Sequence, residues 1–163
     1  MSWIKQLSEN RRRGSYPRCL LLVDGEKGAV AERLTRLVSL PDVRVANDDL
    51  WMPKSLPRQK PDGTWDMTLC DEAELGKAEG FLDAGEREAI KAWWLAVRKQ
   101  ARTPNWDIVS TCKVGARKGL LLVEAKAHAN ELEILGKRES QDARQGTRKN
   151  HAQIGAAIAE ACQ

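Results

Sequence analysis

Apolar residues come in short blocks along this chain, separated by longer polar stretches. Residues 19–24 (CLLLVD) form a compact apolar run that stops at Gly25, the pattern of a short buried strand. Residues 28–39 place Val30, Leu34 and Leu37 at helical spacing, and residues 42–46 (DVRVA) alternate as a second strand does. The first third therefore reads as strand–helix–strand over 19–46. Residues 52–64 hold three prolines and a Pro-Asp-Gly turn signal, so they read as a loop. TWDMTL at 64–69 suggests a short strand, and the polar residues 71–80 suggest a helix.

A stronger helical pattern covers 84–101, with Ile90, Trp93, Trp94 and Val97 on a face expected to be buried. Asp83 and Glu86 ahead of it have capping-box spacing. Two β-rich runs then flank GARKG, a segment with a glycine at each end. This predicts an antiparallel hairpin over 105–127 with its turn at 115–119. Residues 137–149 are polar and expected to be mobile. Residues 150–162 are Ala-rich, with Ile154 and Ile158 four apart, and predict a C-terminal helix. The whole, 163 residues, is expected to be one α/β domain.

Composition narrows the classes. The chain is 31% charged and 42% hydrophobic, in the range of a soluble globular protein. No apolar run approaches the ~20 residues that span a bilayer, and the start lacks the apolar stretch of a secretory signal. Cys19, Cys70, Cys112 and Cys162 are widely spread, and His128 and His151 are the only histidines. A disulfide framework or Cys/His zinc site is not expected; four reduced thiols in a cytoplasmic protein are. The net charge of +4 permits a polyanionic partner without requiring one. Lys137, Arg138, Arg144, Arg148 and Lys149 make one basic cluster, and Arg11, Arg12, Arg13 and Arg18 another. Either cluster alone reads as a solvated polar surface.

Two places suggest chemistry. The turn DGEKGA has two glycines but lacks the GK[ST] ending of a phosphate-binding loop and is not GxGxxG. It reads as structural, with small-molecule binding there kept as a third reading. The hairpin is more informative. Glu124 and Lys126 are two apart and share a face of a strand, following four apolar residues. Asp107 on the partner strand arrives at their level, opposite residues 125–127 depending on register. Its facing depends on that register or on a local bulge. Two nearby carboxylates repel, and a hard divalent cation relieves that repulsion through oxygen ligands. A neighbouring lysine stabilises charge developing on phosphorus.

Asp107, 16 intervening residues and then Glu124-Ala125-Lys126 resemble the PD-(D/E)XK nuclease superfamily. Residues 104–128 carry the likeness. The resemblance implies a restriction-endonuclease-like mixed central sheet flanked by helices. It implies Asp107 and Glu124 as ligands of Mg²⁺ or Mn²⁺, the Ala125 carbonyl as a third ligand, and Lys126 as the catalytic lysine. Glu86 matches the helix acid of some members, while capping is its simpler role. His128 is a further candidate on the Lys126 face, and the 137–149 cluster is a candidate nucleic-acid contact. The chain departs from the family pattern in two ways. Asp107 follows Asn105-Trp106 rather than a proline, and the usual first strand would have to come from TWDMTL or CLLLVD. No final C-terminal strand is visible, so a truncated product or a sheet completed by a partner is expected. The functions expected are metal-dependent hydrolysis of nucleic acid, DNA above all, or non-catalytic nucleic-acid binding on the same fold.

Overall fold

The computed structural model describes residues 2–99, 101–128 and 144–161. Its elements are mixed α and β. The chain divides into two compact units, the first formed by 1–73 with 106–131 and the second by 74–105 with 132–163. No helix of the described residues is long and apolar enough to cross a membrane.

After two 3₁₀ turns at Trp3–Gln6 and Glu9–Arg11, the first unit has a helix, α1 (Tyr16–Val23), where a strand is expected. The apolar run 19–24 misleads because it is too short a window. Besides Pro17, the buried positions are Tyr16, Cys19, Leu20 and Val23, at i, i+3, i+4 and i+7, while Leu21 is 57% exposed. Pro17 lies in the first turn, where its missing N–H costs nothing. At the other end, the Arg33 guanidinium donates to the carbonyls of Leu22 (2.8 Å) and Asp24, which satisfies groups that the helix leaves open. Helix α2 (Lys27–Val38) follows as expected, burying Val30, Ala31 and Leu34. The first third is thus helix–helix–strand.

The strands of this unit are β1 (Val43–Arg44), β2 (Trp51–Met52), β3 (Arg58–Gln59), β4 (Trp65–Asp66), β7 (Ile108–Val114) and β8 (Arg117–Val123). The segment expected to be loop, 52–64, instead holds β3 and the turn of a small hairpin. β3 pairs antiparallel with β4, and Gly63 at φ +84° serves the tip. Only Trp65–Asp66 of TWDMTL is strand; Thr68–Cys70 is a 3₁₀ turn.

β7 is the centre of the main sheet. β8 runs antiparallel along all of it, while β1 and β2 take successive stretches of its other edge. Between those stretches the chain stays attached: Leu50 N–H donates to Thr111 Oγ1 (2.9 Å), which itself donates to Asp49 (2.6 Å). The described strand pairings of this sheet are antiparallel. Ile108 and Cys112 pack with Cys19, Val23, Val30, Ala31, Leu34 and Val45 into one cluster. Tyr16 and Leu20 join Leu7 and Cys70 in another, so α1 serves both.

The hairpin exists as expected, but its turn is Gly115–Ala116 and not 115–119. Val114 pairs with Arg117, and Gly115 has φ +59°. A glycine with positive φ at the first central position suits a two-residue turn of type II′. Arg117, Lys118 and Gly119 therefore belong to β8. Gly119 is there for space: a Cβ would lie 2.9 Å from Val114 Cγ2.

The second unit contains α3 (Ala84–Trp94) and α4 (Gln145–Ala161). The chain passes into this unit within β5 (Ala73–Glu74) and returns within β6 (Asn105–Trp106). The helix expected over 71–80 is only a 3₁₀ turn at Leu75–Lys77. α3 stops at Trp94, earlier than its apolar pattern suggests. The Asn150 side chain bonds both Val97 N–H (2.7 Å) and Val97 C=O (2.9 Å), so that backbone is satisfied without helix. No residue of α3 is fully buried, and Trp93, expected in the core, is 36% exposed with its indole N–H on Glu160 (2.8 Å). α4 is longer than expected and starts at Gln145.

Candidate functional site

The β7–β8 register sets the level of the acidic residues. Ile108 pairs with Val123, so Asp107, just before β7, stands level with Glu124, just after β8. The expected level, 125–127, is displaced because the turn is shorter than GARKG implies. Asp107 also sits at the break between β6 and β7, which frees it from strict strand alternation. Its Oδ2 accepts the Ala125 N–H at 2.7 Å, and its Oδ1 accepts from Ser15 Oγ, beside α1, at 3.4 Å. The acid is thereby tied to the Glu-Ala-Lys segment through backbone.

Glu124 and Lys126 lie beyond the paired strand, not on it as expected. The alternation of faces persists all the same. Glu124, Lys126 and His128 are exposed, while Ala125 packs against the core cluster with Leu121 and Val123. The Lys126 ammonium pairs with the Glu124 carboxylate. Burial of Ala125 thus orients its two charged neighbours outward together.

A third acid is missed by sequence reasoning. Burial first, and then the negative charges of Asp107, Glu72 and Glu124, push the Cys19 thiol up to about 12. These three carboxylates therefore act on one buried point of α1. Glu72 lies just ahead of β5 with its side chain 17% exposed, 3.6 Å from the Arg11 guanidinium. Nothing local marks it, since it follows Cys70-Asp71 in a polar stretch that suggests only a helix. Arg11 also stacks over the Tyr16 ring, and Arg12 donates to the Leu7 and Lys5 carbonyls. Those two members of the N-terminal basic cluster have structural work.

The other candidates divide clearly. Glu86 belongs to the second unit and completes a capping box with Asp83, bonding at 2.8 Å in both directions. Arg144, Arg148 and Lys149 are exposed at and just before the start of α4. Lys137 and Arg138 lie outside the described residues, as does Cys162. Cys19, Cys70 and Cys112 are buried and unpaired.

Among the described residues, no three His, Cys, Asp or Glu side chains converge into a metal cage. Asp107, Glu124 and the Ala125 carbonyl would offer a metal only oxygen donors, from one short segment and its neighbour. That donor chemistry fits Mg²⁺, which takes one or two carboxylates and fills its shell with water and phosphate oxygens. It does not fit zinc, which prefers nitrogen and sulfur. Compared with known protein families, curated proteins and solved structures, the chain finds no match.

Proposed function

We propose that the first unit carries a metal-dependent nuclease-type site, on a restriction-endonuclease-like arrangement whose central part is the β7–β8 hairpin. The observation that supports this reading most is the 2.7 Å bond from Ala125 N–H to Asp107, because it couples the acid to the Glu-Ala-Lys segment. Asp107 and Glu124, with the Ala125 carbonyl, would hold Mg²⁺ or Mn²⁺. When bound, such an ion lowers the pKa of water and neutralises charge at phosphorus. Lys126 supplies a cation for the non-bridging phosphate oxygens as charge builds up there. Its pairing with Glu124 holds the ammonium beside the carboxylate until a phosphate competes for it. Water adds to phosphorus and gives up one proton to solvent, one bridging P–O bond breaks, and the leaving oxygen takes up a proton in its place. His128, exposed two residues on, is placed in sequence to contact the same strand of nucleic acid.

The test is cleavage of single- and double-stranded DNA and of RNA with Mg²⁺ or Mn²⁺. Asp107→Ala and Lys126→Ala are each expected to lose roughly 10²-fold or more. Equal activity in both variants and the parent would sink the assignment.

A second reading is a non-catalytic nucleic-acid-binding module. It is favoured by Arg144, Arg148 and Lys149, exposed around the first turn of α4, where the helix dipole also attracts anions. Its signature is metal-independent binding that falls steeply with salt and is indifferent to Glu124→Gln.

A further inference from the structure

The two-glycine segment DGEKGA, whose Gly28 falls in the first turn of α2, leads to a second place where chemistry is assembled. A cleft of about 420 Å³ opens between α2 and β1, with Gly28, Ala31 and Arg36 on the helix side and Arg44, Val45 and Asn47 opposite. Its size falls within the roughly 300–1,000 Å³ of small-ligand sites. Ala31 and Val45 line the cleft but are almost fully buried, so its exposed lining is mainly polar and charged. The two walls are joined at their base by Thr35 Oγ1, which accepts the Val45 N–H at 2.9 Å. Asp49 accepts the Ala46 N–H at 2.7 Å and fixes the loop that carries Asn47. The cleft is therefore built into the fold and needs no rearrangement to form.

Its charge is positive. Two arginines face one acid, Glu32, which stands 3.8 Å from Arg36. Arg44 forms no ion pair among the described residues. Guanidinium groups are the side chains best matched to phosphate, because their planar fork donates two parallel hydrogen bonds. Asn47 adds an amide that both donates and accepts. Gly28 keeps the mouth open: a Cβ there would already stand 3.7 Å from the Asn47 amide, so a longer side chain would fill the space.

We propose that this cleft binds a nucleoside phosphate, with Arg44 and Arg36 on the phosphate and Asn47 on a polar edge of the ligand. The same chemistry is offered by a free mononucleotide and by one nucleotide of a nucleic-acid strand. This inference does not rest on the nuclease-type reading, since no residue is shared with Asp107, Glu124 or Lys126.

The experiment is calorimetric and NMR titration of the full chain in EDTA, with inorganic phosphate, AMP and a short single-stranded oligonucleotide. AMP is expected to bind saturably and to be displaced by phosphate. Arg44→Ala should weaken AMP about tenfold or more, the scale of a charge-assisted hydrogen bond. Gly28→Leu should block AMP while the far-ultraviolet spectrum and thermal transition show a folded protein. An oligonucleotide that binds at least tenfold more tightly than AMP, through the same residues, assigns a nucleic-acid strand; equal affinity assigns the free nucleotide. No saturable binding of any probe into the millimolar range overturns the proposal. So does unchanged affinity in a folded Arg36→Ala, Arg44→Ala double variant. Because the titrations contain no divalent cation, failure here is separable from failure of the cleavage assay.

Discussion

The two strands of the central hairpin have equal length and opposite fates. β7, IVSTCKV, contains Ser, Thr and Lys, yet buries Ile108, Val109, Ser110 and Cys112. β8, RKGLLLV, contains three consecutive leucines, yet buries no residue fully, and Leu122 is 36% exposed. Apolar content does not separate them, since each strand has four apolar residues. Position in the sheet does separate them: β7 has partners on both edges, whereas β8 pairs only with β7 among the described residues. The side chains of β7 that face α1 and α2 share the core with Val30 and Leu34. The difference teaches that an apolar run reports the capacity for burial, and neighbouring elements decide whether it is used.

That contrast can be broken most severely at Ile108. Ile108→Ala leaves a cavity beneath both helices, and denaturant unfolding should show a loss of about 2–5 kcal/mol. Less should follow from Gly119→Val, which forces a side chain against Val114 and should cost about 1–3 kcal/mol through overpacking. If Gly119→Val were neutral, the close approach across the hairpin would be relieved elsewhere and the tight register would be in doubt.

Thiol chemistry sharpens the comparison. Burial raises Cys112 on β7 and raises Cys19 on α1 to about 12, from an ordinary value of 9.0. The folded state holds these thiols protonated, so their contribution is fully present below pH ~9, the ordinary range for a free thiol. It is lost as pH rises toward 12, because the unfolded chain ionises first. Stability measured by denaturant should therefore fall above pH ~9. Cys19→Ala should flatten that slope, whatever it does to stability at neutral pH. At pH 8, a cysteine placed by Leu122→Cys should react with a thiol reagent well before Cys112 does. The smallest effect is expected from Leu122→Ser, within about 1 kcal/mol, as for surface positions generally. A loss as large as that of Ile108→Ala would mean that β8 is covered in solution.

The candidate site divides along the same line. The outward pairing of Glu124 and Lys126 is legible in the sequence, because an apolar residue between two charged ones fixes which way each points. The alternation survives even where strand pairing ends. The level of Asp107 is only partly legible, since it depends on where the turn begins. GARKG looks like a five-residue turn because both glycines resemble turn residues, but Gly119 answers to packing and only Gly115 to backbone conformation. Glu72 was not legible at all. Its approach to the field around Cys19 depends on the chain leaving the first unit beside β5, and no local pattern encodes that.

The helix α1 marks the boundary between the two kinds of information. Its spacing of Tyr16, Cys19, Leu20 and Val23, the capping box of α3 and the existence of the β7–β8 hairpin follow from local sequence, through periodicity and satisfaction of backbone groups. The burial of β7 over β8, the closeness of Asp107 to Ala125 and the basic cleft beside α2 were decided by tertiary structure alone. Each depends on contacts between separate elements, from 10 residues apart in the cleft to 61 beside β7, whose partners are chosen by packing and register and not by neighbours in sequence.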